Sequence, residues 1–259
     1  MQGRRIAFEG IENFRDFGGY AAAEGRRLKA GALYRSGHHG RATETDLARL
    51  ADLGIILVVD LRRGNERERE PGPSWADFGA GVIDNDLGQT ELEEWADFVM
   101  RSDLTPQNFR DYMLDYYGKA PFEARHVDLY SRYFQALGET TGPVLVHCSA
   151  GKDRTGILCA LTHHIAGVSQ EDILADYLLT NDMDRIARRL PMMREAVQQN
   201  TGKTMSDEAL IAALRVEAEY LDVAFAAMAE RYGGLDGYLD GALGLDASQR
   251  ERLRVRLLA

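Results

Sequence analysis

Apolar positions along the chain fall into two patterns. Two runs are short, continuous and rich in β-branched residues: IILVV at 55–59, which ends at Asp60, and PVLVH at 143–147. Unbroken apolarity over four or five residues marks a strand covered on both faces, as in a parallel sheet. Elsewhere the spacing is helical. TETDLARLADLG (43–54) predicts a helix with Thr43 as cap and Gly54 as stop. GILCALTHHIAG (156–167) predicts a second, ended by Gly167. Ser169 opens a third, with Asp172 in the capping-box position where Glu or Gln is more usual. From Ser206 onward the pattern is almost wholly helical, broken at Gly233–Gly234 and Gly244.

Strands alternating with helices through the first 165 residues predict an α/β fold. Its central sheet is mostly parallel with helices on both faces, and a helical C-terminal part follows. Residues 86–140 lie between two sheet strands. They carry Trp95, Phe98, Phe109, Tyr112, Tyr116 and Tyr117 at helical spacing. Such a stripe packs a core, and it also suits a helical lid over a site; the two readings are compatible. With no repeat or low-complexity tract, the chain reads as one domain, 1–259, with the lid as an insertion.

Composition narrows the function. Of 259 residues, 45% are apolar, enough for a substantial core, and the net charge is −10. That charge repels nucleic acid and anionic membrane surfaces, so nucleic-acid binding is excluded as a function class. No apolar run is long enough to span a bilayer. The N-terminus, MQGRRIAFEG, lacks the apolar core of a signal peptide. The two cysteines, Cys148 and Cys159, suit a reducing compartment. These features point to the cytoplasm, with secretion without a cleaved signal left open. Oligomeric state is not legible.

Between the second strand and its helix stands HCSAGKDRTG (147–156). A loop leaving the carboxyl end of a strand is where open α/β sheets bind ligands. Its backbone N–H groups and the helix N-terminus attract anions. Ala150 and Gly151 are small enough for the backbone of Ser149, Ala150 and Gly151 to close around a phosphate. Cysteines in such settings are activated, because helix N-termini and nearby cations favour the thiolate. Cys148 is therefore the candidate nucleophile. Arg154 can grip two phosphate oxygens and stabilise charge in phosphoryl transfer. Thr155 can donate to the departing sulfur, and His147 can fix the loop. Alone, a cysteine before a helix is a small buried hydrophobe; Cys159, mid-helix among apolar residues, reads that way. A nucleotide-binding Walker loop is excluded, because Val146 stands where its first glycine belongs and Asp153 where its Ser or Thr belongs.

Cys-x5-Arg-Thr after a buried strand resembles the signature of cysteine-dependent tyrosine phosphatases. The whole string resembles the bacterial PtpB-type tyrosine phosphatase family. NFRDFGGY (13–20), LYRSGHHGRAT (33–43), VVDLRRGNERE (58–68) and AERYGGLDGYLDGALGLD (229–246) resemble other segments of that family. The resemblance covers nearly the whole chain. It implies a phosphocysteine intermediate on Cys148 and hydrolysis of phosphotyrosine, with phosphoserine, phosphothreonine or phosphoinositide as further substrates. It implies no cofactor and no metal. Lys152 would then be a second cation associated with acidic substrates, or a charge balance for Asp153. Arg15 and Asp16 would brace the site.

Protonation of the leaving group needs a positioned acid. Asp153, inside the loop, and Asp60, at the end of its strand, are the candidates, with Asp153 favoured. Asp128 and Asp115 sit in helical patterns and read as solvated charges. Arg62 either reaches substrate or pairs with Glu66, Glu68 or Glu70; the mixed-sign run RRGNERERE reads by default as solvated surface. A rhodanese-like sulfurtransferase and a catalytically silent phospho-binding module remain as alternatives. The N-terminal motifs argue against the first, and the intact Cys148, Arg154 and acids argue against the second.

Overall fold

Both apolar runs become neighbouring strands at the centre of the sheet. The strands are β1 (Arg15–Asp16), β2 (Leu33–Ser36), β3 (Leu57–Asp60), β4 (Gly81–Ile83) and β5 (Val144–His147). The structure is a computed structural model that describes residues 4–88 and 94–259. Strand order is β1-β2-β5-β3-β4; β1 runs antiparallel to β2 and the other pairs are parallel. This is the mostly parallel α/β sheet that the alternation of elements predicts.

The helices among the described residues follow in chain order. They are α1 (Glu44–Asp52), α2 (Gly64–Arg69), α3 (Glu94–Arg101), α4 (Pro106–Lys119), α5 (Ala124–Glu139) and α6 (Asp153–Ala166). After these come α7 (Gln170–Leu178), α8 (Met183–Thr201), α9 (Asp207–Leu214), α10 (Ala218–Tyr232), α11 (Leu235–Gly241) and α12 (Ala247–Leu257). None is long and apolar enough to cross a membrane. Local chemistry sets the ends where the pattern placed them. Thr43 and Asp46 form a capping box on α1. Ser169 accepts from the Asp172 amide at the start of α7. Gly167 ends α6 in the left-handed conformation.

Side chains of a strand alternate between faces, and here both faces are buried. Leu57, Val59, Val144 and Val146 enter the main core with α5, α6 and the C-terminal helices. Val58 and Leu145 enter a second core with Leu50 of α1 and Trp75. Each fully buried aliphatic side chain contributes roughly 1.5–3 kcal/mol of transfer free energy.

The described residues of 86–140 pack into two clusters, and residues 89–93 of the expected lid lie outside the described residues. Leu129, Tyr130, Tyr133, Phe134 and Leu137 of α5 belong to the main core, as do Met113 and Tyr117 of α4. Val99 of α3 and Phe109 of α4 instead join Val197, Met205 and Leu210 in a small separate cluster with α8 and α9. In the C-terminal part an extra break separates α9 from α10. Asn181 fastens it: its side chain accepts from the Val216 amide and donates to the Val216 carbonyl, both at 2.8 Å.

Candidate active site

The loop that follows β5 sits between the ends of two neighbours. In the sheet register His147 is flanked by Ser36 of β2 and Asp60 of β3. The segments 33–43 and 58–68 therefore become loops on either side of Cys148–Asp153. Helix α6 begins at Asp153, three residues before the apolar pattern suggests, so Arg154 and Thr155 lie in its first turn. The unpaired N–H groups of that turn face the loop end of the helix. Gly151 has φ +63°, and a Cβ there would lie 2.3 Å from the Ser36 carbonyl oxygen, so only glycine fits.

A buried charge network holds the loop from behind. Asn13 Nδ2 donates to the Gly151 carbonyl at 2.7 Å, and Arg35 does so at 3.0 Å. Arg35 also donates to the Asp176 carboxylate at 2.8 Å, and Arg15 does so from Nε at 3.3 Å. All three charged groups are at most 1% exposed. Burial works against the Asp176 carboxylate, but Arg15 and Arg35 hold its pKa down at about 2. Neither Arg35 nor Asp176 was a candidate by sequence pattern; only the 3D arrangement brings α7 under the loop. Asp16 is a correction. Adjacent strand residues face opposite ways, and its carboxylate accepts from the Gly18 and Gly31 amides at 2.7 and 2.6 Å, bracing a turn instead of the loop.

Arg154 is clamped in front. Its Nη1 and Nη2 donate to the two Glu66 oxygens at 2.6 and 2.8 Å, and Nη1 also reaches the Leu61 carbonyl at 3.1 Å. Ser149 Oγ donates to the same Glu66 carboxylate. Burial pushes the Glu66 carboxyl up, yet Arg154 and the Ser149 hydroxyl hold it well below the usual range. The run RRGNERERE is thus not plain solvated surface: α2 delivers its first acid to the loop arginine.

Cys148 is 2% exposed, at the junction of the loop and the main core. The Thr155 hydroxyl is fully buried with no hydrogen-bond partner among the described residues. Asn13 Nδ2 reaches the Ala150 carbonyl at 3.4 Å, and the Ser149 carbonyl accepts from the His38 amide at 3.1 Å. Lys152 turns away from the loop centre. Its ammonium donates to the Ala213 and Arg215 carbonyls at the end of α9, at 2.7 and 3.3 Å, and stands 3.6 Å from Asp153. Asp153 accepts from the Tyr117 hydroxyl at 2.9 Å, and Tyr117 meets Tyr177 at 2.6 Å.

The other acid candidate is fully engaged. Arg62 grips Asp60 through Nε at 2.9 and 3.1 Å and through Nη2 at 2.7 Å, and both residues are buried. Burial alone pushes the Asp60 carboxyl up; His147 and Arg62 more than reverse this and leave it below the ordinary aspartate value. Arg62 spends itself on Asp60 and on the Glu70 carbonyl, not on the side chains of Glu66, Glu68 or Glu70.

His147 packs edge-on against His39, ring centres 4.4 Å apart, and its Nε2 faces the Asp60 carboxylate at 3.7 Å with no hydrogen-bond partner among the described residues. Its Nδ1 lies 3.4 Å from the Cys148 carbonyl. Burial, with Arg62 nearby, pushes its pKa down to about 4. An unfolded histidine titrates near 6.5. The neutral folded ring therefore stabilises fully above pH 6.5, and that contribution is lost as pH falls towards 4. At pH 4.5 the loss is about 2–3 kcal/mol. Urea unfolding at pH 7.5 and 4.5 checks this. The drop between the two pH values should shrink by about that amount in His147→Asn, and an equal drop in both proteins refutes it.

Comparison with known proteins follows from this geometry. A model of the tyrosine phosphatase family matches residues 6–259. The chain is 35% identical over 254 residues to a Cupriavidus necator protein provisionally named a tyrosine-protein phosphatase, covering 96% of this chain and 88% of that one. It is 32% identical over 277 residues to the triple specificity protein phosphatase PtpB of Mycobacterium tuberculosis, covering 96% and 97%. A tyrosine-protein phosphatase of Nostoc commune is 28% identical over 247 residues, covering 91% and 77%.

Proposed function

The chain belongs to the tyrosine phosphatase family, and from that premise we propose that it hydrolyses phosphotyrosine through a phosphocysteine on Cys148. The observation that carries this reading is the loop itself: a cysteine at the end of β5, a glycine turn, and an arginine in the first turn of α6 already oriented by Glu66. In the first step the Cys148 sulfur attacks phosphorus and the bond to the phenolic oxygen breaks. Asp153 gives its proton to that oxygen. In the second step water attacks phosphorus, the P–S bond breaks, and Asp153 takes the proton back. Arg154 and the loop amides hold the three non-bridging oxygens throughout.

Asp153 takes the acid role over Asp60 because Asp60 is locked to Arg62, whereas Asp153 opens α6 beside the loop, partly exposed, accepting from Tyr117 and 3.6 Å from the Lys152 ammonium. On this reading the whole chain is one phosphatase domain. Its cover is the small cluster of α3, α8 and α9, joined to the loop through Lys152, and not the whole of 86–140. Phosphoserine and phosphoinositide are secondary substrates.

One experiment tests function and acid together. Phosphate release is measured, with reductant and without metal, from a phosphotyrosine peptide, a phosphoserine peptide, a monophosphorylated phosphoinositide and aryl phosphates of graded leaving-group pKa. The wild type should turn over phosphotyrosine best. Asp153→Asn should slow poor leaving groups about 100-fold and good ones little. Equal slowing across the series removes Asp153 from the acid role. A folded wild type inactive on all substrates removes the catalytic reading.

A further inference from the structure

A small polar cavity adjoins the phosphate loop and shares Ser149 with it. Glu12, His38, Arg41 and Arg189 line it. Its cations come from two places in the chain, the loop after β2 and helix α8, and two of the protein's own carboxylates stand beside them. Glu12 faces Arg189 Nε at 3.4 Å and Arg185 Nε at 3.7 Å. Glu70 faces Arg41 at 3.0 Å and His38 at 3.0 Å. Burial lowers the pKa of His38, and Arg41, Arg185 and Arg189 are the permanent cations beside the two glutamates.

Glu12 fits this place poorly. Good charge-assisted N–H···O⁻ bonds measure about 2.7–2.9 Å, and both of its contacts are longer. Behind it, Arg185 is only 2% exposed, yet its Nε and one terminal nitrogen have no hydrogen-bond partner among the described residues. Buried donors are almost always satisfied, because leaving one unpaired is costly. Arg185 is also fixed in place, since its other terminal nitrogen donates to the Thr180 and Leu214 carbonyls, both at 3.3 Å. The guanidinium is thus held rigidly with donors to spare. Glu12 already stands against these donors, so an incoming carboxylate competes with it for them.

We propose that this cavity is a specificity subsite for an acidic side chain beside the phosphotyrosine of a peptide substrate. The proposal rests on the phosphatase reading above and extends it to sequence preference. Ser149 carries the connection: it closes the phosphate cradle through Glu66 and Arg154 on one side and lines the cavity on the other. The internal occupants are carboxylates, so the cavity is matched to the group that Asp or Glu supplies.

Two phosphotyrosine peptides identical except for Glu or Gln beside the phosphotyrosine test the subsite. The readouts are kcat/KM with active protein and Kd with Cys148→Ser protein, each with and without Arg189→Gln or Glu12→Gln. Wild type should prefer the Glu peptide about tenfold. Arg189→Gln should bring the ratio to within about twofold. Glu12→Gln removes the internal competitor and should raise the ratio. A wild-type ratio near one, or a ratio that Arg189→Gln leaves intact, overturns the proposal. So does an Arg189-dependent preference for a bisphosphorylated inositol lipid without any distinction between the peptides. Absence of turnover sinks the catalytic reading alone, because the Kd ratio still reports on the subsite.

Discussion

Serine in place of Cys148 is expected to lower kcat/KM by about 10⁴-fold or more, while the chain still folds and still binds phosphotyrosine peptide. Removing the nucleophile of a covalent mechanism leaves only the transition-state binding of the surrounding cradle, and losses of this order follow. The swap replaces one atom, and the site that receives it is 2% exposed, so the packing change is small. Cys159 supplies the control. It is also buried, but it lies mid-helix in α6, and burial pushes its thiol up to about 12. Cys159→Ala should leave turnover within a few-fold of wild type at the price of a modest drop in thermal stability. Phosphate release, peptide binding and thermal unfolding, run on the three proteins together, separate chemistry from folding. Activity within tenfold of wild type in Cys148→Ser would falsify the covalent mechanism.

Arg154→Lys is expected to cost about 10³-fold in kcat, the scale on which transition-state arginines act. Charge is retained in this variant, so geometry is what it tests. Glu66 takes both terminal nitrogens of Arg154, and Leu61 adds a carbonyl, so the guanidinium plane is fixed with its Nε edge left for phosphate. Lysine offers a compact point charge without a planar fork, so it cannot hold Glu66 bidentately and present a parallel pair of donors to phosphate. Single-turnover rates with a phosphotyrosine peptide check this. A variant that keeps more than a tenth of the wild-type rate shows that the fork is not what the transition state uses.

The chemistry was legible where it is local. Strand, loop and helix follow one another over residues 143–167, so Cys148 and Arg154 are close in space because they are close in sequence. The two-faced burial of β3 and β5 was legible for the same reason, as continuous apolar runs. What escaped is everything supplied from a distance. Glu66 lies in a run of alternating charges whose pattern is that of solvated surface, and its partner is 88 residues away. Asp176 is one acid in a helix, marked out only by the two buried arginines that β1 and β2 bring to it. The resemblance offered Lys152 as a substrate cation or a charge balance for Asp153; it stands 3.6 Å from Asp153, but the Ala213 and Arg215 carbonyls that it also meets are some sixty residues away. The resemblance also offered Arg15 and Asp16 together, and the strand sends their side chains opposite ways.

The place of β5 between β2 and β3 has a kinetic consequence. The reactive loop is anchored by a strand whose partners lie roughly a hundred residues earlier, at 33–36 and 57–60. Neither pairing can form until that long loop closes, and non-local parallel pairing is slow. Without β5 the sheet divides into β1-β2 and β3-β4, with no strand between them to carry the cradle. Catalytic competence is therefore tied to the closing of the sheet, and a chain in which β5 is unpaired carries the cysteine without the means to use it.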